Sequence, residues 1–271
     1  MKKNTIFTLL ILITLSITSV LNVNAQQYND NDYKTEPYKP VKPYSERNYT
    51  VTTSDNHLIN AYLSYPKNKQ KGFPTVILLH SIGRNSKPFI PLQRDLNNEG
   101  YAVLRVDFRG HGKSVYDKSL RQRSWITYKN SDFEKYPKDV IEVIEKIKKE
   151  TKKANLDNYV ILGSDIGANT AVLIAKELQA KPKALVLISP QMTFKGLYIP
   201  VALTEIGKTP ILAISSKTNN RFMQEQEKLS RFAQGTFDVL NVEKGGADMF
   251  VFKQYPEMQP QIIDWIKQYL K

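Results

Sequence analysis

The alternation of two kinds of segment after residue 48 constrains the fold more than any other feature of this chain. Residues 75–80 (TVILLH), 101–107 (YAVLRVD) and 158–162 (NYVIL) are apolar runs, which are typical of strands buried on both faces. Residues 138–149 and 260–270 instead carry apolar side chains at helical spacing. Strands that alternate with helices predict an α/β fold with a mostly parallel sheet and helices on both faces. The other predicted strands are residues 49–53, 58–65, 184–189, 211–215 and 237–242, and the other helices are residues 91–99, 168–179 and 222–233.

The amino-terminal segment predicts export. Two lysines precede the apolar residues 6–21, and the small-residue pattern Val-Asn-Ala ends at Ala25. This is the pattern of a signal peptide, residues 1–25, which implies a periplasmic or secreted protein. The apolar run is also nearly long enough to span a bilayer, so an uncleaved anchor is the alternative. Residues 26–47 are rich in Tyr, Pro and Lys and predict a disordered tether, which leaves residues 48–271 as one folded domain.

The composition excludes several kinds of site. The chain has no cysteine, which rules out disulfides, thiolate metal ligands and a cysteine nucleophile, and it has only three histidines: His57, His80 and His111. The formal net charge of +13 favours anionic partners, although a solvated lysine-rich surface explains it more simply. No metal motif or phosphate loop is recognisable, so we expect no cofactor and no metal ion. We expect no nucleic-acid partner either.

Three sequence motifs follow the third, fourth and fifth predicted strands. They read LLHSIGRN (residues 78–85), DFRGHGKS (residues 107–114) and GSDIGAN (residues 163–169). Together they resemble the α/β-hydrolase superfamily, in particular its capless or small-lid esterases, acyl-peptidases and lysophospholipase-like members, over residues 49–270. The resemblance implies the α/β-hydrolase fold with a mostly parallel eight-stranded sheet.

The resemblance also assigns site residues. It implies a nucleophile at Asp165, on a tight turn between strand and helix where most relatives carry serine. It implies an oxyanion hole formed by the backbone N–H of Ile166 together with that of Ser81 or Ile82. Asp165 itself is also suited to cap the following helix, and its carboxylate would then occupy the oxyanion hole.

The expected catalytic triad departs from the pattern at every position. The loop after the last strand, residues 243–250, contains no histidine, although the family places its catalytic base there. The acid position falls on Asn219, which cannot stabilise an imidazolium as a carboxylate does. Some relatives do use an aspartate nucleophile, but they still need a histidine to activate the water that cleaves the ester.

The sequence leaves open two possible catalytic partners of Asp165 and the role of one apolar segment. His80 and Asp165 follow neighbouring central strands, so they form a candidate dyad, and Asp248 is a candidate partner of Asp165 in a carboxylate pair. The apolar segment 191–209 is either a cover over Asp165 or an ordinary packed connection.

The sequence therefore favours an exported α/β-hydrolase-fold protein that is a pseudoenzyme rather than an enzyme. It would bind or scaffold at the cell envelope, and its ligand would be a small molecule or an anionic envelope component. One alternative is an active hydrolase on ester, amide or lipid substrates that uses an aspartate nucleophile or a dyad. The other is a basic protein that binds an envelope polymer or a membrane surface.

Overall fold

The computed structural model describes residues 44–68, 70–244 and 248–271. The predicted export signal and residues 26–43 of the predicted tether lie outside the described residues. The first strand begins at Tyr44, so placing residues 44–47 in the tether was wrong. These residues pair with residues 63–66, and Glu46 forms an ion pair of 3.0 Å with Arg105. The predicted strand, residues 49–53, begins too late because β1 lies at the sheet edge, where a polar sequence is compatible with strand pairing.

One eight-stranded sheet forms the centre of the described fold, as the sequence predicts. Its strand order is β1-β2-β4-β3-β5-β6-β9-β10. The first two pairings, β1 with β2 and β2 with β4, are antiparallel, and the remaining pairings are parallel. A separate two-stranded hairpin consists of β7 and β8. The strands are β1 Tyr44–Thr52, β2 Leu58–Pro66, β3 Phe73–Leu79, β4 Ala102–Val106, β5 Ala154–Ser164, β6 Ala184–Ile188, β7 Thr193–Phe194, β8 Leu197–Tyr198, β9 Ile211–Ser216 and β10 Phe237–Val242.

Helices cover both faces of this sheet. The helices are α1 Ile90–Asn98, α2 Asn130–Phe133, α3 Tyr136–Glu150, α4 Ile166–Glu177, α5 Pro200–Glu205, α6 Asn220–Ser230, α7 Val251–Gln254 and α8 Met258–Tyr269. One core cluster contains the apolar side chains of α3 and α4, and a second contains those of α1 and α8. No helix among the described residues is sufficiently long and apolar to cross a bilayer.

The central strands divide their side chains between the two cores. In β3, Ile77 and Leu79 belong to one cluster, whereas Val76 and Leu78 belong to the other. All four side chains are fully buried, because successive strand residues point to opposite faces and helices cover each face. This two-sided burial is why the strands read as continuous apolar runs. Because β3, β4, β5, β6, β9 and β10 run parallel, the loops that follow them lie together at one edge of the sheet.

Candidate active site

The turn between β5 and α4 forces its central residue outward. Asp165 adopts φ 56° and ψ −115°, in the region of positive φ that most residues avoid. The glycines on either side of this turn allow the backbones of the strand and the helix to lie close together. A Cβ at Gly163 would clash with the carbonyl of Gly167, and a Cβ at Gly167 would clash with the carbonyl of Leu79. The turn therefore has the strained strand-to-helix geometry of a nucleophile elbow, with an aspartate at its tip.

The Asp165 carboxylate is buried and accepts hydrogen bonds from backbone groups. Its Oδ2 lies 3.2 Å from the N–H of Ile82, and the N–H of Ile166 also donates to it. The side-chain amide of Gln191 donates to Oδ1 at 3.4 Å. Burial raises the pKa of Asp165 from 3.8 to about 7, even though the two N–H donors favour the ionised form. The carboxyl group therefore titrates near neutral pH and not near pH 4.

The position of this carboxylate bears on the expected oxyanion hole. The two N–H groups that donate to Asp165, those of Ile82 and Ile166, are groups that the resemblance assigns to the hole. The other candidate donor is the N–H of Ser81, which takes no part in the contacts of this residue with Ser164, through its hydroxyl at 2.9 Å, and with His80, through its carbonyl. In this conformation the donors that would stabilise a developing oxyanion already bind a carboxylate of the protein itself.

Backbone groups engage both ring nitrogens of His80. Its Nδ1 lies 2.7 Å from the carbonyl of Ser81, and its Nε2 lies 3.0 Å from the N–H of Phe108. The carbonyl can only accept and the N–H can only donate, so the ring is a neutral tautomer with its proton on Nδ1. Burial also lowers its pKa. The structure therefore does not form the Asp165–His80 dyad that the sequence left open, because no ring nitrogen is directed at the carboxylate.

The remaining histidines are also held by backbone groups. His111 accepts from the N–H of Gly83 at 3.0 Å through Nε2, and its Nδ1 lies 3.1 Å from the carbonyl of Arg109. His57 Nε2 lies 2.8 Å from the carbonyl of Ser114. These contacts give the histidines structural roles in the loops that follow β3 and β4.

Asn219 acts as a helix cap in the structure. Its side-chain oxygen accepts from the N–H of Phe222 at 3.3 Å, which satisfies one of the free donors at the start of α6. It does not line the crevice that contains Asp165. The expected loop for a catalytic histidine includes residues 245–247, which lie outside the described residues.

Asp248 lies in the same crevice as Asp165, but it is paired with a cation. Arg84 forms an ion pair of 2.9 Å with its carboxylate, and the guanidinium of Arg84 also stacks 4.4 Å from the centre of the Phe250 ring. The charge of Asp248 still contributes to the raised pKa of Asp165. The two carboxylates thus share a site electrostatically, but Asp248 is directed at Arg84.

The crevice over Asp165 has a volume of about 360 Å³. Arg221 donates to the side-chain oxygen of Gln191 at 2.8 Å, so Gln191 connects a cation to Asp165. Gln191, Arg84 and Arg221 had no assigned role in the sequence, although each follows a parallel strand at the site edge. The lining residues are Ile82, Asp165, Gln191, Phe194, Arg221, Phe222, Asp248 and Phe250.

The segment 191–209 is mainly a packed connection. Buried Asn169 of α4 donates to the carbonyls of Gln191 and Leu197 at 2.8 and 2.9 Å, and it accepts from the N–H of Gln191. Leu197 and Leu203 are buried in the core. Only the beginning of the segment, through Gln191 and Phe194, reaches the crevice.

Among the described residues, no cluster of three or more His, Asp or Glu side chains is arranged to hold a metal ion.

These features define the class of protein. A mostly parallel eight-stranded sheet with helices on both faces, in which β5 leads through a strained elbow into α4, is the α/β-hydrolase fold. The sequence pattern of the family described as serine aminopeptidase, S33, matches residues 70–243, which is more than half of the chain. The chain belongs to that family.

Individual relatives are distant. A Mycoplasma genitalium protein whose name places it among esterases and lipases is 24% identical over 186 residues, which cover 66% of this chain and 58% of that protein. The chain therefore matches less than two thirds of that relative's length.

Solved structures show the same fold at lower identity. An esterase from Exiguobacterium antarcticum is similar with a TM-score of 0.61 and 16% identity, covering 80% of this chain and 98% of that chain. An acylaminoacyl peptidase from Pyrococcus horikoshii is similar with a TM-score of 0.68 and 13% identity, covering 85% of this chain and 42% of that chain. These likenesses establish the architecture.

Proposed function

We propose that this protein is an exported, catalytically inactive member of its family that binds a ligand in the crevice over Asp165. The observation that carries the proposal is the placement of the Asp165 carboxylate on the N–H of Ile82, 3.2 Å away, where a substrate oxyanion would bind. An ionised carboxylate there fills the donors and repels a second anion. The site retains the shape of a hydrolase site without its electrostatic stabilisation.

The histidines support the same conclusion. General acid–base catalysis needs a proton acceptor within hydrogen-bonding reach of the reacting group, and it contributes about 10² to 10⁴-fold to the rate. His80 and His111 are bonded to backbone groups through both ring nitrogens. If Asp165 attacked an acyl or alkyl carbon, the resulting ester would persist, since no histidine is positioned to activate water against it.

The crevice suits a small ligand with an apolar body and a polar end. Phe194, Phe222 and Phe250 contribute aromatic surface, and Asp165 and Arg221 contribute polar groups of opposite sign. A volume of about 360 Å³ lies within the range of small-molecule sites. The location at the cell envelope rests on the signal-like residues 1–25.

The second candidate is an active hydrolase that uses Asp165 itself. The pKa of about 7 favours it, because a carboxyl group that titrates near neutral pH suits proton transfer. The names of the relatives also favour it. This candidate requires turnover that depends on Asp165, whereas the first candidate predicts no turnover.

Replacing the elbow aspartate by serine tests whether the site contains a catalytic base, and turnover by the parent protein that is lost in Asp165→Ala separates the two candidates. Asp165→Ser frees the oxyanion donors and supplies the usual nucleophile, but it leaves the site without a base. We expect this variant to remain unreactive towards a fluorophosphonate probe and towards activated esters, because a serine hydroxyl is weakly nucleophilic until a base removes its proton.

The matched variant adds Ala247→His and Asn219→Asp to Asp165→Ser. The aspartate preserves the cap on α6, since its carboxylate accepts the same N–H of Phe222. Robust labelling and turnover by Asp165→Ser alone would reveal a working base and would overturn the proposal. Circular dichroism and the unfolding midpoint of each variant establish that it is folded.

A further inference from the structure

The two most exposed large apolar side chains of the described residues lie in one region after β4. Leu120 is 75% exposed and Ile126 is 72% exposed. Leu120 is at the end of a short hairpin, residues 115–123, which we call the tip hairpin. Ile126 lies six residues further on, in the short helical turn Trp125–Thr127. Two large apolar side chains exposed within six residues of each other are typical of an interaction surface.

Hydrogen bonds within the tip hairpin fix the conformation in which Leu120 is exposed. The N–H of Arg123 donates to the carbonyl of Val115 at 2.7 Å, and the side chain of Asp117 accepts from the N–H groups of Ser119 and Arg121. Leu120 adopts φ 60°, a left-handed conformation that is unfavourable for leucine. The fold thus retains a strained, ordered leucine that buries little surface within its own chain.

Cations surround this apolar tip. The tip hairpin carries Lys118, Arg121 and Arg123 against a single carboxylate, Asp117, and all three cations are exposed. Asp117 pairs with both arginines, at 3.0 and 3.2 Å, so its charge is already compensated within the hairpin. The surface around Leu120 therefore keeps a net positive charge.

A basin of about 580 Å³ adjoins the tip hairpin. Its lining includes five cations and three carboxylates: Lys118, Arg121, Arg123, Lys135 and Arg109, and Asp55, Asp117 and Asp132. Its carboxylates are engaged by the protein: Asp55, for example, accepts from Arg109 at 2.8 Å and from Lys135 at 3.1 Å. The basin is large enough for a phosphate headgroup, and its uncompensated charge is positive.

We propose that the tip hairpin and the adjoining basin dock the folded domain onto an anionic phospholipid bilayer. Leu120 and Ile126 enter the headgroup region, and the cations at the basin contact lipid phosphates. An apolar anchor combined with basic side chains is the pairing that peripheral membrane attachment uses. An acidic polymer would satisfy the cations but would leave the two apolar side chains exposed, which is why the bilayer is the better occupant. The proposal is independent of whether the crevice is catalytic.

The absence of cysteine from the chain makes a direct test available. A Leu120→Cys variant of the full chain, labelled with an environment-sensitive fluorophore, is mixed with vesicles of phosphatidylglycerol and brominated phosphatidylcholine in equal parts. We expect a blue shift and quenching by the bromines. The label reports insertion at the tip hairpin, so the readout is separate from any membrane binding by the apolar residues 6–21.

Val239→Cys is the matched control, because Val239 is also exposed and lies on β10 at the opposite edge of the sheet. Lys118→Gln in the Leu120→Cys background should raise the lipid concentration for half-maximal response about fivefold, since each basic side chain near an anionic surface contributes about 1 kcal/mol. Absence of quenching at position 120, equal quenching at position 239, or an equal response to vesicles of phosphatidylcholine alone would overturn the proposal. A blue shift produced by a soluble acidic polymer without lipid would overturn it too.

Discussion

Replacing Asp165 by asparagine should change how the stability of this protein depends on pH. The Asp165 carboxyl group has a pKa of about 7 in the folded protein, against 3.8 as the ordinary value. Because its folded-state pKa is raised, the folded protein holds this proton more tightly than the unfolded chain does. Ionisation therefore favours unfolding, and Asp165 costs increasing stability as the pH rises from about 4 to about 7.

The magnitude follows from the two pKa values. Each pKa unit of difference between folded and unfolded states is worth about 1.4 kcal/mol, so the full cost above pH 7 is about 4 kcal/mol. Asparagine has nearly the same shape and no charge to desolvate, and its carbonyl can accept from the N–H of Ile82. We expect Asp165→Asn to match the parent near pH 4 and to be more stable by up to about 4 kcal/mol at pH 8.

Urea unfolding at a series of pH values between 4 and 8, monitored by circular dichroism, measures this difference. Asp157→Asn is the control: this side chain is 68% exposed and pairs with Lys148, and such pairs contribute only about 0–1 kcal/mol. Taking the difference between variant and parent removes the contribution of the histidines, which both proteins share. A difference that stays constant across the series, or that falls as the pH rises, would refute the account of Asp165 as a buried, weakly solvated carboxyl.

The structural roles assigned to three residues give further expectations. His80→Ala should lower the free energy of unfolding by about 1–3 kcal/mol, measured by urea unfolding, because it leaves the buried N–H of Phe108 without its acceptor. Gly167→Ala should destabilise by about 1–3 kcal/mol or more in the same assay, since the new Cβ would clash with the carbonyl of Leu79. Asn169→Ala should cost about 1–3 kcal/mol and open the segment at Gln191 to limited proteolysis, because the amide holds that segment to α4. An unchanged unfolding midpoint in any of these variants would contradict the corresponding role.

The fold was largely predictable because the central strands are buried on both faces. β10 was predicted with the bounds that the structure shows, and β3, β4 and β6 were predicted to within two residues. Two-sided burial requires continuous apolar runs, and such runs are visible without an alignment. β1 was placed too late because an edge strand needs apolar residues on only one face, so residues 44–47 gave no apolar signal.

The candidate site was only partly predictable. The position of Asp165 followed from the spacing of Gly163 and Gly167, which the backbone contacts of the elbow explain. Gln191 and Arg221 were missed, because their contribution depends on where their side chains point after β6 and β9. A stricter use of topology would have found them, since residues that follow parallel strands converge at one edge of the sheet. The cap formed by Asn219 depends on local geometry that its residue type alone does not specify.

Turnover of short activated esters by the full chain tests the central claim most directly. The account predicts no hydrolysis above that of the heat-inactivated protein between pH 5 and 9, because an oxygen of the Asp165 carboxyl group occupies the oxyanion donors in either protonation state and the backbone holds His80 and His111. Asp165→Ala serves as the matched control and should be equally inactive. Saturable turnover by the parent protein that disappears in Asp165→Ala would contradict the account and would establish Asp165 as a working catalytic group.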